Sequence, residues 1–383
     1  MKEKIFGYIK NNFGIDEVKY LYILAGIVCV VAIGLAGFFG YGVFKNRVSG
    51  IGNEGAGLDL PVQAGAENKA CKFQRMLDGV CVDSQDKVNP KLVAVMIENH
   101  PDARPQSGLS QASIVYEAPV ESNYTRFMAI YPVGAEGAGR DLPVLSKVGP
   151  VRSARPYYLD WVSEHDNIMY MHCGGSPDAL EVIDEYGIFD FNEFYKGGYF
   201  WRSQDRYAPH NVYTSSELWN KGWEDYGEVG LGNQKLDVTS TVWKFEEREK
   251  CTTDCVSEFT VSFLPPTYEA TWKFNSSTDK YERYQSGMPH ADQDGTLITA
   301  DNVVVIYVKT KVLDSIGRID METIGEGEAV VFRDGYQIPA QWYKGSKEEK
   351  LQLRDVDFHE MIYKPGKTWV EVVNQLGKVE TSN

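Results

Sequence analysis

The chain has 383 residues, of which 43% are hydrophobic, and its 54 acidic against 39 basic side chains give a formal charge of −15 at pH 7. That apolar fraction over this length can fill a sizeable core. The acidic balance excludes nucleic acid as a partner, since a phosphate backbone needs basic surface, and argues against close docking on an anionic membrane face.

From Tyr20 to Phe44 no charged residue occurs, and the stretch 21–35 is nearly all apolar. About 20 such residues cross a hydrocarbon core, so a transmembrane helix is expected over 20–44, after a cytoplasmic N-terminus at 1–19. A signal peptide would have a shorter core and a small-residue cleavage site, and Val28 before Cys29 does not make a lipobox. Lysines 2, 4, 10 and 19 precede the span, and only Lys45 and Arg47 follow closely. The positive-inside bias then puts the bulk of the chain outside the cytoplasm. Residues 45–70, rich in Gly and Ala, read as a flexible linker. The roughly 310 residues beyond it exceed what one core usually organises. Two folded units are expected, 71–235 and 236–376, with a tail at 377–383.

Cys71 and Cys81 bracket nine residues, and Cys251 and Cys255 bracket three. Each pair is expected to close a local disulfide in an oxidising compartment; neither has the spacing of a zinc knuckle. Cys173 remains as an unpaired thiol at a strand end. In the first unit the apolar run 92–97 reads as a buried central strand, with further strands at 113–116, 126–131 and 168–171. Tyr158, Trp161 and Val162 predict a helix within 154–165. Ser176, Pro177 and Gly187 delimit a second as cap, first residue and stop. A capping box of Thr214 and Glu217 opens a third that stops near Gly222. Beyond 235, strand-like runs at 259–263, 270–274, 280–284, 303–308, 329–332 and 368–373 alternate with turn clusters at 275–279 and 333–335. The expected fold class is α+β: an N-terminal transmembrane helix, a mixed α/β domain, then a mainly antiparallel β domain.

Polar chemistry concentrates in four turn-forming segments, 99–109, 149–156, 171–177 and 207–211. Arg126, Arg152 and Arg155 suit an anion, because a guanidinium donates two parallel hydrogen bonds to phosphate or carboxylate. Gly174-Gly175-Ser176 at a helix N-terminus offers backbone amides to the same kind of ligand. His172 and His210 are candidate acid–base groups, or members of a metal site with Glu117 or Glu121, although no pair has a diagnostic spacing. All of these residues equally suit the anchoring of loops and turns. Segment 290–295 lacks the later ligands of a calcium loop and reads as a polar turn. No Walker loop, dinucleotide fingerprint or Gly-x-Ser-x-Gly elbow occurs. No cofactor is implied, and no residue is assigned to a metal or to catalysis.

Segments 103–109, Tyr116-Glu117, Glu121 with Thr125-Arg126, 149–155, His172 with 174–176, and 209–211 carry a family resemblance, as do 301–303, Asp314 with Gly317-Arg318, 325–327 and 365–369 in the second unit. The chain resembles the YerB-like envelope proteins of bacteria, a largely uncharacterised family named after a putative lipoprotein. The resemblance spans both units and implies their plan and an envelope location, with no established reaction. The candidate ligand-binding set is Arg104, Glu117, Glu121, Arg126, Arg152, Ser153, Arg155, His172, Gly174, Gly175, Ser176, His210 and Asn211.

Two classes of function stay open. One is a binding module that takes an anionic glycan, a cell-wall component or a partner protein through an Arg/His-lined cleft. The other is a metal-dependent transferase or hydrolase acting on phosphate-linked envelope intermediates. The arginine order is loosely similar to extracytoplasmic glycopolymer transferases, but Pro150-Val151-Arg152-Ser153 stands where their Pro-Arg-Asp element would be. A structural scaffold is the third reading.

Overall fold

The computed structural model describes residues 71–134, 144–230, 243–375 and 377–382. A ten-stranded mixed sheet runs through them in the order Gln352–Asp355, Tyr336–Lys344, Gly325–Arg333, Asn302–Val308, Thr368–Asn374, Ile114–Pro119, Thr125–Val133, Lys91–Glu98, Ile168–His172 and Asp190–Asn192. Strands from the two halves of the chain meet where Thr368–Asn374 lies parallel to Ile114–Pro119, with Glu371 opposite Glu117.

The apolar runs of the sequence explain the layering. Along Lys91–Glu98, Val93, Val95 and Ile97 enter one apolar cluster while Leu92, Ala94 and Met96 enter another. That is the two-residue period of a strand covered on both faces. Each fully buried Val, Ile or Met contributes about 1.5–3 kcal/mol. On one face pack the helices Pro156–Val162 and Pro177–Tyr186, through Tyr157, Tyr158, Trp161 and Ile183. The other face carries the helix Ser216–Gly230, through Trp219 and Trp223. Beside it lies a smaller antiparallel sheet containing Glu258–Ser262, Glu269–Asn275, Lys280–Gln285 and Val379–Ser382, which buries Phe259, Trp272 and Tyr281.

Local signals place several boundaries. Ser176 Oγ accepts the Ala179 N–H at 3.2 Å, Pro177 opens the helix, and Gly187 ends it at φ +63°. Asp334 and Gly335, at φ +50° and +83°, form the two-residue turn between Arg333 and Tyr336, where both positions need positive φ. The third helix runs past its expected stop. Gly222 serves close packing there, since a Cβ would sit 2.7 Å from the Phe191 ring. Its first turn is capped by Ser215, whose Oγ accepts the Leu218 N–H at 3.3 Å; Thr214 Oγ1 instead donates to the Tyr199 carbonyl at 3.0 Å.

Two expectations are corrected. The fold is mostly β rather than α+β: only three α-helices occur among the described residues. The physical reason is that runs such as 92–97 and 368–373 are apolar on both sides. They serve as central strands of one shared sheet instead of closing separate layers. The single transmembrane helix at 20–44, expected as anchor to the membrane, is not supported either. No helix among the described residues is long and apolar enough to cross a membrane; the longest, Ser216–Gly230, has 15 residues where about 20 are needed. Residues 1–70, with the expected span and linker, lie outside the described residues. Cys71–Cys81 and Cys251–Cys255 are disulfide-bonded, and Cys173 is a buried free thiol.

Candidate functional site

The loop 149–156 is the hub on which the other three turn segments converge. Ser107 N–H donates to the Gly149 carbonyl at 2.9 Å, and Ala154 N–H to the Gly174 carbonyl at 2.9 Å. Val151 N–H donates to the Val212 carbonyl at 2.6 Å, which brings segment 207–211 alongside. Arg152 N–H reaches the Met96 carbonyl at 2.8 Å, so the loop crosses the end of strand Lys91–Glu98.

At that strand end the carboxylate of Glu98 gathers three of the expected residues. Arg126 stands opposite it in the antiparallel register and lies 4.0 Å away through Nη2. Arg152 makes a close ion pair with Oε2, and His210 Nδ1 is 3.4 Å from the same oxygen. Arg126 Nη1 also donates to the Ser153 carbonyl at 2.6 Å, so Ser153 contributes its backbone. His100 stacks on His210 with ring centroids 4.8 Å apart. Burial pulls His210 below the ordinary imidazole range, opposed by the Glu98 carboxylate and reinforced by His100 and Arg152. Asn211 Oδ1 accepts from Arg202 Nη1 at 3.1 Å, holding the neighbouring hairpin.

Arg155, Glu121 and Ser176 line a separate cavity of about 220 Å³, closed on its far side by Leu313, Arg318, Ile319 and Asp320 of the second half. Arg155 Nε donates to Glu121 Oε1 at 2.6 Å and Nη1 to the Ala154 carbonyl at 2.6 Å. Burial lowers Arg155, with Arg126 adding repulsion. For Glu121, burial pushes upward, but Arg155, a backbone hydrogen bond and Arg126 together hold it below the usual carboxylate range. Arg318 donates through Nε to Asp314 Oδ2 at 2.5 Å, and its Nη1 is 3.9 Å from Asp178 Oδ2. Its two terminal nitrogens make no hydrogen bond among the described residues.

Glu117 and Arg104 belong to a buried network instead. Glu117 accepts from Arg283 Nη2 at 2.5 Å, from Thr125 Oγ1 at 2.6 Å and from Asn99 Nδ2 at 3.3 Å. Glu371 completes the centre: it accepts from Trp272 Nε1 at 2.8 Å and lies 3.8 Å from Arg283 Nε. Arg283 Nη1 donates to His290 Nδ1 at 2.7 Å, which leaves His290 Nε2–H to donate to Gln106 Oε1 at 3.0 Å. Arg104 is spent on Asn99 Oδ1 at 3.1 Å and on the Thr267 carbonyl at 3.0 Å. A second buried centre holds Glu164 against Lys344 at 3.2 Å, Lys350 at 3.8 Å and the Tyr116 hydroxyl at 2.9 Å.

The remaining expected residues form a turn. His172 is fully buried, with Nδ1 2.7 Å from the Gly174 carbonyl and Nε2 2.6 Å from Asp190 Oδ1. Gly174 N–H is committed to Asn192 Oδ1 at 3.0 Å and Ser176 N–H to the Ala154 carbonyl at 3.4 Å; Gly175 bridges Ala154. Those two amides are therefore already bonded within the protein. Cys173 sits nearby, its thiol pushed up to about 11 by burial and by the Glu193 carboxylate, so it is not a ready nucleophile. Glu98, His100, Arg283, His290, Glu371 and Arg318 are partners that stand outside the candidate set drawn from the sequence. Glu98 and His100 flank Asn99 in or beside the first turn segment, and Arg318 lies in a segment that carries the family resemblance; Arg283 and Glu371 sit in ordinary strands and give no local signal.

Comparison with known proteins places this geometry in a family. Residues 77–227 match the model described as protein of unknown function (DUF3048), N-terminal domain, and residues 259–370 match its C-terminal domain. The chain is 31% identical over 318 residues to the putative lipoprotein YerB of Bacillus subtilis (strain 168), covering 82% of this chain and 90% of the relative. It is similar to the crystal structure of the YerB protein from Bacillus subtilis, with a TM-score of 0.67 and 28% identity over 81% of this chain and 100% of that one.

Proposed function

The chain belongs to the DUF3048 family, and from that premise we propose that it is a membrane-associated, extracytoplasmic envelope protein that binds an anionic glycan or other acidic cell-wall component in the cavity between Arg155 and Arg318. The similarity to a putative lipoprotein supports the location. So do the two disulfides, which persist in oxidising compartments.

One observation carries the binding reading. Among the described residues Arg318 keeps its terminal nitrogens without hydrogen bonds, while it and Arg155, from opposite halves of the chain, line one cavity. A guanidinium with free parallel donors suits a carboxylate or phosphate. The charge of −15 gives no long-range attraction for an anion, so recognition depends on these local donors. Asp178, Asp320 and Glu121 in the same lining suit sugar hydroxyls or an amine on the ligand.

The test is calorimetric titration of the full chain with a muropeptide bearing free carboxylates, and with inorganic pyrophosphate. Wild type should bind, and Arg318→Ala should weaken binding at least tenfold, while Lys309→Ala, outside the cavity, leaves it unchanged. At a hundred times its dissociation constant a ligand adds about 2.7 kcal/mol to stability. Lack of binding by either probe, or affinity indifferent to Arg318→Ala, would sink the reading.

A further inference from the structure

We propose that His100, Asp102 and His210 form a binding site for a divalent transition metal, open on its solvent side. A ring nitrogen of each histidine and a carboxylate oxygen of Asp102 lie within 4.8 Å of one another. One spacing is already near that of ligands sharing one ion: His100 Nδ1 is 3.6 Å from Asp102 Oδ2. Tetrahedral zinc with bonds of about 2.0–2.1 Å places its ligand atoms roughly 3.4 Å apart. Closing the remaining gap turns His100 out of its stack on His210, a rotation for which His100 and Asp102 have room at the surface.

A second observation points the same way. Glu98 is 6% exposed and sets its Oε2 3.4 Å from His210 Nδ1, a carboxylate–imidazole pairing that leaves His210 Nε2 for an ion. Arg152 and Arg126 neutralise Glu98 in this arrangement. Glu98 is thus the supporting carboxylate beside His210 rather than a primary ligand. Two imidazoles and one carboxylate form the donor set that suits zinc-like ions and leaves a coordination position for an exogenous oxygen. In the turn that opens at Pro101, His100 Nδ1 accepts the Asp102 N–H at 3.2 Å, and coordination through that nitrogen displaces this bond. The site stands apart from the Arg155 cavity, and neither proposal depends on the other.

The experiment titrates the metal-free full chain with Zn2+ by calorimetry and with Co2+ by its visible ligand-field absorption. One ion per chain is expected, with affinity reduced at least tenfold in both His100→Ala and His210→Ala. His359→Ala, in the separate exposed trio Asp355, Asp357 and His359, should have no effect. Should either alanine variant fail to fold, histidine ring-nitrogen NMR on the wild type decides: Zn2+ should move the signals of two residues, His100 and His210. No binding, binding unchanged in both variants, or signals moved only at His359 would overturn the proposal.

Discussion

Around Arg283 the guanidinium and both carboxylates have no side-chain exposure at all, whereas around Glu98 the carboxylate is buried but Arg152 keeps 27% of its side chain in water and His210 keeps 16%. The two regions use the same residue types, and neighbouring residues belong to each: Glu98 to the rim, Asn99 to the interior. In the interior the parallel register sets Glu371 beside Glu117, and Arg283 from the second sheet bridges them. Burial, and next the Glu117 carboxylate, push Glu371 well above the ordinary carboxylate range, so one proton and one guanidinium neutralise two acids. The comparison teaches that a charge committed on every side is a framework element. A charge with unspent donors and access to water remains available to a ligand.

The largest break should come from Arg283→Ala. It strands Glu117 in the interior, and losing one partner of a buried pair costs about 3–5 kcal/mol, measurable as a lower urea midpoint. If the variant is as stable as wild type, the centre is not a framework element. The next effect is pH. Burial pulls His165 down to about 3, with Lys350 as the next cause. For Glu164, burial pushes upward, but Lys344 and Lys350 hold it at about 2. Between 6.5 and about 3 the unfolded chain binds the His165 proton more readily, so stability falls as pH drops through that window. Glu164 adds a fall of the same sign below its unfolded value of about 4.5. Each fully titrating group gives a slope of about 1.4 kcal/mol per pH unit, or about 2 kcal/mol lost to His165 by pH 5. His165→Gln should flatten that limb; an unchanged limb would assign the acid response elsewhere. Glu371 has the opposite sign, its contribution being full at low pH and lost as pH rises.

The same contrast explains what the sequence made legible. Apolar runs located the central strands, and the Ser176–Pro177–Gly187 signals placed a helix as observed. The disulfide pairs followed from spacing alone. The shared sheet was not legible, because nothing local says that Thr368–Asn374 will lie against Ile114–Pro119 across some 250 residues. Gly222 misled because a glycine required by the Phe191 ring looks the same in sequence as a helix stop. The four turn segments stood out by their composition, but neither their convergence nor the division of their residues could be read from it. Whether Glu117 or Glu121 faces water depends on which strand of the other half comes alongside.

Two smaller effects probe each region without dismantling it. Thr125→Val keeps the shape of a 1% exposed side chain but removes the hydroxyl that donates to Glu117 and accepts from Asn99, both at 2.6 Å. The loss should be about 1–2 kcal/mol. Arg152→Ala should have the smallest cost, about 1 kcal/mol or less. Glu98 keeps Arg126 at 4.0 Å and His210 at 3.4 Å, and the space vacated by a partly exposed guanidinium admits water to the carboxylate. A midpoint shift comparable to that of Arg283→Ala would mean that the rim is as closed as the interior. Arg152 would then be part of the framework, and the distinction between the two regions would fail at the residue on which it depends most.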